Sequence, residues 1–212
     1  MKYNKTIFTF LLIFTIMINN AQEVFIQGGG TLEDWAHLTK FETDNEKLKK
    51  IDDPNRVIFM GNSITEGWSN FDKDFFINNP FINRGISGQT TPQMLIRFRP
   101  DVVNLNPKAV VILAGINDIA GNTGPISLEN TAENIISMAE IAKANNIKVY
   151  ICSTLPAIDF LWSPGLEPAP KVIKLNTILK NYCTKNNTTY VDYYSSMVDG
   201  EGGLKVPKYT AA

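Results

Sequence analysis

Cysteine, histidine, surplus charge and long apolar runs are all scarce in this chain, and each shortage narrows what the protein can be. Lysine and arginine number 20 against 21 acidic residues, for a formal net charge of −1. No basic block interleaves with aromatic residues, so a nucleic-acid partner is not expected. The two cysteines allow at most one bridge. Cys152 lies in an apolar strand-like run and Cys183 on the apolar side of a helix-like run, positions that suit buried free thiols at least as well as a disulfide. The longest apolar run, Ile7 to Ile18, is too short for a comfortable membrane span. With Lys2 and Lys5 before it and Ala21 after it, it has the layout of a signal peptide over residues 1–21. No cysteine follows it to carry a lipid, so export without a stable membrane anchor is expected. Histidine occurs once, at His37.

What is present is an ordinary globular composition. Hydrophobic residues make up 44% of the chain, enough for one domain with a sizeable core. Residues 22–55 read as a polar arm with a glycine cluster and one short helix; the cluster lacks the lysine and hydroxyl residue of a phosphate loop. From there on strand and helix patterns alternate, which points to a parallel sheet with helices on both faces. "RVIFM" is the first strand and "FINRGI" a shorter second one. "TTPQMLIRF" opens a helix, with Thr91 as N-cap and Pro92 in the first helical position. "KAVVILAGIND" is the continuous β-branched run that a central strand needs. Leu128, Ile135, Met138, Ala139 and Ala142 recur at helical spacing behind a Ser127 cap. "KVYICSTLP" is the next strand, "KVIKLNTILKNYCTKNN" an amphipathic helix and "TYVDYYSSM" a last strand.

Open parallel sheets collect their ligands at the carboxyl ends of the strands, and three of these ends carry suggestive residues. Ser63 follows the first strand, where the amides of a starting helix face a developing negative charge. Gly88 follows the second, and a glycine lets its amide approach a bound group closely. Asn117 ends the central strand with a neutral amide donor. A nucleophile with several donors aimed at a tetrahedral oxygen is the equipment of acyl transfer. The segments "GNSIT", "GISGQT" and "GIND" resemble the successive blocks of the SGNH, or GDSL-type, hydrolases in their order and approximate spacing. That resemblance implies a three-layer α/β/α sandwich with a flavodoxin-like parallel sheet over residues 56–212. It also implies Ser63 as nucleophile, an oxyanion hole of the Ser63 and Gly88 amides with the Asn117 side chain, and no metal or organic cofactor. The family's usual aspartate before the serine is Asn62 here, a change expected to shape the loop rather than the chemistry. The form "GNSITEGW" resembles the acetylhydrolase and carbohydrate-esterase branches.

A serine hydroxyl needs a base, most often a histidine oriented by a carboxylate. The family draws both from an Asp-x-x-His arrangement after its last strand, and this sequence has no such block. Asp118, Asp192 and Asp199 come without an imidazole, and His37 lies in the arm, where it would serve only if the arm folded over the active-site face. The sequence is therefore expected to be either a C-terminally truncated esterase or a natural remnant, with negligible turnover and reduced stability. Phe160 and Trp162, in a proline-rich segment after the fourth strand, either wall a sugar site or cover core. The expected substrate is a small-molecule or glycan ester, with acetyl on carbohydrate favoured. Lipid acyl hydrolysis and a non-catalytic carbohydrate-binding scaffold are the alternatives.

Overall fold

The computed structural model describes residues 28–209; the segment read as a signal peptide lies outside them. Five strands form one parallel sheet in the order β2-β1-β3-β4-β5. They are β1 (Val57–Gly61), β2 (Phe81–Gly85), β3 (Ala109–Leu113), β4 (Lys148–Cys152) and β5 (Thr189–Val191). This is the flavodoxin-like order, with its topological switch between β1 and β3.

Alternation along the strands sorts the two faces. Ile58, Met60, Val110, Ile112 and Ile151 point to a buried core they share with Met94, Phe98, Ile135, Met138 and Leu175. Those partners come from α4 (Thr91–Asp101), α6 (Leu128–Ala144) and α7 (Pro168–Lys185), which lie side by side on that face. On the other face Phe59 is ringed by Trp68, Phe75, Phe76 and Phe81, with centroids 5.3–5.7 Å away. This aromatic cluster seats α2 (Ser63–Phe71) and α3 (Lys73–Ile77) over β1 and β2. Further along the same face Val111, Leu113 and Tyr150 are only half-buried.

The arm is part of the fold. A 3-10 turn (Leu38–Phe41) runs into α1 (Glu42–Leu48), and two arginines of the domain tie that helix down. Arg56 donates to Leu48 O at 3.0 Å, to Ile51 O at 2.7 Å and to Leu105 O. Arg84 donates to Asn45 Oδ1 at 2.8 Å and to Asp44 at 2.6 Å.

Ser127 caps α6 as expected, accepting from Asn130 N at 3.0 Å. Two sequence readings need correction. The N-cap of α4 is Thr90, not Thr91, because Gln93 reaches back to accept from the Thr90 amide at 3.1 Å and closes a capping box. Thr91 and Pro92 are then the first two helical residues. The last strand stops at Val191, because Asp192 accepts from Ser195 N at 3.0 Å and from Ser195 Oγ at 2.8 Å. That cap starts a short helix, α8 (Tyr194–Met197), in place of continued strand.

Candidate active site

Ser63 is the first residue of α2, exposed at the carboxyl end of β1. Asn62 ahead of it is 1% exposed and caps the helix, its Oδ1 accepting from Ile64 N at 3.1 Å. An asparagine caps as well as an aspartate does, and without bringing a charge beside the nucleophile. The helix starts this close to the sheet because β1 and β2 end in glycine. A Cβ on Gly85 would stand 2.1 Å from Glu66 N, and one on Gly61 2.0 Å from Thr65 Oγ1. As an N-terminal residue Ser63 has an amide that no helical carbonyl can take up, and its hydroxyl has no hydrogen-bond partner among the described residues.

Gly88 stands in the loop after β2 with φ +78°, a left-handed value that suits glycine. Asn117 does not end the central strand as the sequence suggests: β3 stops at Leu113, and Gly115 at φ 105° turns the chain into the short helix α5 (Ile116–Ile119) that carries it. The structure joins the two, since Asn117 Nδ2 donates to Gln89 O at 2.9 Å, next to Gly88. Asp118, one residue on, is buried and accepts from Thr91 N at 3.0 Å and Thr91 Oγ1 at 2.6 Å. Burial pushes its carboxyl up to about 6, against hydrogen bonds from Thr91 that favour the ionised form. Two adjacent side chains of α5 thus hold the loop 88–91 from both sides.

Beneath the loop lies Arg97, fully buried. It donates to Gln89 Oε1 at 2.5 Å, Asp101 Oδ2 at 2.9 Å, Gly61 O at 3.1 Å and Arg84 O at 2.9 Å. Desolvation draws its pKa down to about 10, so it stays charged at neutral pH. One guanidinium therefore fixes the strand end before Ser63 and the loop that carries Gly88. The arm grips the same loop from outside: Gln89 Nε2 donates to Ala36 O at 2.8 Å and Gln93 Nε2 to Trp35 O at 2.9 Å.

Of the two expected wall residues, Phe160 is 3% exposed and belongs to the core, whereas Trp162 is 58% exposed. Phe160 backs the indole at a centroid distance of 5.1 Å. Trp162 Nε1 donates to Asn122 Oδ1 at 3.1 Å, and Asn122 Nδ2 donates to Gly88 O at 3.0 Å. Sequence reading missed Asn122, Arg97 and Glu66, which have no motif of their own. Glu66, one turn after Ser63, accepts from the Ser87 amide at 2.8 Å, from Ser87 Oγ and from Lys40. Partial burial raises its pKa, but these hydrogen bonds outweigh burial and hold it below the usual range. His37 lies on the arm, lining a cleft it shares with Gly88; its ring makes no hydrogen bond among the described residues.

Comparison with known proteins bears on the family and the fold. An acylhydrolase-assigned structure from Bacteroides fragilis NCTC 9343 is 51% identical, with 84% of this chain and 86% of that one covered at a TM-score of 0.79. A GDSL-like lipase structure from Bacteroides thetaiotaomicron VPI-5482 is 47% identical, covering 83% and 87% at a TM-score of 0.78. The lipoprotein YqeF of Bacillus subtilis strain 168, itself uncharacterized, is 27% identical over 144 residues, and the match spans 59% of each chain. The family model of the GDSL-like Lipase/Acylhydrolase family matches residues 59–207, from the strand before Ser63 past the last helix, and the chain belongs to that family.

Proposed function

We propose that the protein is an exported serine esterase that removes small acyl groups, acetyl foremost, from carbohydrate through an acyl-enzyme at Ser63. The observation that carries the substrate class is the hydrogen-bonded tie from Trp162 through Asn122 to Gly88. An exposed indole offers a face on which a sugar ring stacks, and this one is fixed beside the donor loop. In this reading Ser63 Oγ attacks the ester carbonyl carbon. The tetrahedral oxygen takes hydrogen bonds from the Ser63 and Gly88 amides and the Asn117 side chain. The base, supplied here as imidazole, takes the Ser63 hydroxyl proton during attack and hands it to the sugar oxygen as the tetrahedral intermediate collapses, so the sugar leaves as a hydroxyl. Water, losing its proton to the same base, then attacks the acyl carbon, and the proton returns to Ser63 as the acid departs.

Among the described residues no imidazole is hydrogen-bonded to the Ser63 hydroxyl. Removing the base from a serine triad costs on the order of 10⁴–10⁶ in rate, so the 212 residues alone are expected to turn over negligibly. Among the described residues no helix is long and apolar enough to cross a membrane, and the Bacillus subtilis relative is a lipoprotein; both accord with export.

The test supplies the base from outside. Acetate release from acetylated xylan is measured with free imidazole for the parent chain and for Ser63→Ala. Release that depends on Ser63 is the expected result, and equal release from both chains overturns the reading. Lysophospholipid is assayed in parallel, because Ile64, next to Ser63, is an exposed apolar side chain that suits a lipid substrate. Fatty-acid release in place of acetate would move the assignment there.

A further inference from the structure

On the arm side of Gly88 the fold leaves an open cleft of about 380 Å³, within the range of small-ligand sites. Gly29, His37 and Lys40 line it from the arm, and Glu66, Ser87 and Gly88 from the domain. Its chemistry can be counted group by group. One Glu66 oxygen is taken by Lys40 and the other by the Ser87 amide and hydroxyl, which fills three of the carboxylate's roughly four acceptor sites. Lys40 has three donors and gives one of them to Glu66. The two charges cancel, which leaves a cleft rich in free donors and without net charge.

His37 stands out in this setting. Its Nδ1 is the one buried side-chain nitrogen or oxygen without a hydrogen-bond partner among the described residues. Gly29 closes over that nitrogen, near enough that a Cβ there would stand 2.7 Å from it. The His37 backbone is left-handed at φ 56°, ψ 49°, a conformation that disfavours residues with a Cβ. The preceding turn imposes it: the Asp34 carboxylate accepts from Leu38 N at 2.7 Å, Thr39 N at 3.0 Å and Thr39 Oγ1 at 2.9 Å, and Asp34 O accepts from His37 N at 3.0 Å. Gly29 thereby shuts Nδ1 away from the cleft, and Nε2, which is not sealed off and carries no hydrogen bond among the described residues, is the edge that the strained His37 can offer a ligand.

We propose that this cleft is a second sugar subsite, holding a neutral hydroxyl-rich ring beside the acylated one, with Lys40 Nζ and the His37 imidazole as its hydrogen-bonding groups. The assignment rests on the reading of Ser63 as a carbohydrate esterase nucleophile and deepens it. Hydroxyls both donate and accept, so one ring can satisfy the ammonium and the imidazole together. The sugar chain would then run across the oxyanion loop, from Trp162 on one side to the arm on the other.

Because His37 is the chain's single histidine, its imidazole proton signals report on the cleft without ambiguity. Xylotetraose is titrated into the full chain and the His37 signals are followed by NMR, with calorimetry giving Kd. The expected result is a saturable shift of the His37 signals, with Kd raised about 10-fold or more in Lys40→Met, the loss typical of a charge-assisted hydrogen bond. Trp162→Ala should weaken binding yet leave a His37 shift at saturation. Binding that leaves His37 unmoved, an unchanged Kd in Lys40→Met, or no binding at all overturns the subsite. Should Ser63-dependent acetate release hold while His37 stays unmoved, only the subsite fails. If instead Ser63→Ala releases acetate like its parent, the esterase reading fails and the His37 shift still decides the subsite.

Discussion

Replacing Arg97 by methionine should cost more stability than any other single change at the site. The side chain is fully buried and its guanidinium donates to four acceptors, Gln89 Oε1, Asp101 Oδ2, Gly61 O and Arg84 O. Methionine fills much of the volume but donates nothing. Asp101 would stay buried without its cationic partner, with Asn45 Nδ2 at 2.7 Å as its remaining side-chain donor. Breaking a buried pair from one side costs about 3–5 kcal/mol, because the orphaned charge has lost both water and partner. For a domain of this size each kcal/mol moves Tm by roughly 2–4 °C, so a fall of about 6–20 °C is expected. Urea unfolding and thermal melts at pH 7 would measure it. The double variant Arg97→Met, Asp101→Leu removes the orphaned charge as well and should recover at least half of the loss, a non-additivity expected of contacting residues. A single-variant cost below about 1 kcal/mol, or a double variant as poor as the sum of the singles, would refute the argument that this ion pair holds the loop.

Other expectations follow from individual contacts. Burial favours the protonated form of Asp118, so its contribution to stability is present below its unfolded value of 3.8 and is lost as pH rises through about 6. Ionising it by pH 7 costs on the order of 3 kcal/mol, and Asp118→Asn should lose less stability than the parent between pH 4.5 and 7.5; identical urea midpoints across that range would contradict this. Gly85→Ala would drive a Cβ to 2.1 Å from the Glu66 backbone nitrogen, with an expected cost of at least about 2 kcal/mol in thermal melts. A variant as stable as the parent would show that α2 can shift freely. Cys152 and Cys183 are both free and buried, and desolvation pushes the Cys152 thiol up to about 12. Native protein should therefore resist thiol-directed alkylation and take up two labels only in denaturant, whereas rapid native labelling would place a thiol at the surface.

The strands were legible because both faces of a central parallel strand must be apolar, and "VIFMG" and "AVVIL" leave no other reading at that length. The positions of Ser63, Gly88 and Asn117 after the first three strands were legible for a related reason, since the sheet topology brings the segments that follow those strands to one edge. The cap of α4 was misplaced by one residue although its signal was present: Thr90 and Gln93 have the capping-box spacing, whereas Thr91 has no such partner. The last strand was overread because Tyr190, Tyr193 and Tyr194 carry strand propensity, and one local hydrogen bond from Ser195 to Asp192 overrides it. The docking of the arm could not be read at all. It depends on side-chain amides of Gln89 and Gln93 meeting the carbonyls of Ala36 and Trp35, contacts across more than fifty residues that leave no periodic trace.

That docking changes what the arm is for. A loop carrying an oxyanion donor has to be rigid, since a donor aimed in advance stabilises charge without reorganisation. Apolar packing alone gives such a loop little, because its backbone groups must be satisfied as well. Here the polar side chains do it: Arg97 from below, Asn117 and Asp118 from α5, Asn122 from the Trp162 side, and the arm from outside through Gln89 and Gln93. Gln89 is the shared member, bonded at its oxygen to Arg97, at its nitrogen to the arm and at its backbone oxygen to Asn117. Loosening Arg97, Asn117 or the Ala36 contact therefore reaches Gly88 through Gln89, whereas Asn122 holds Gly88 directly. A deletion of residues 28–48 should accordingly lower the imidazole-supported, Ser63-dependent hydrolysis of a small aryl acetate, a substrate too small to need the cleft at His37 and Lys40; a rate equal to the parent's would refute a supporting role for the arm.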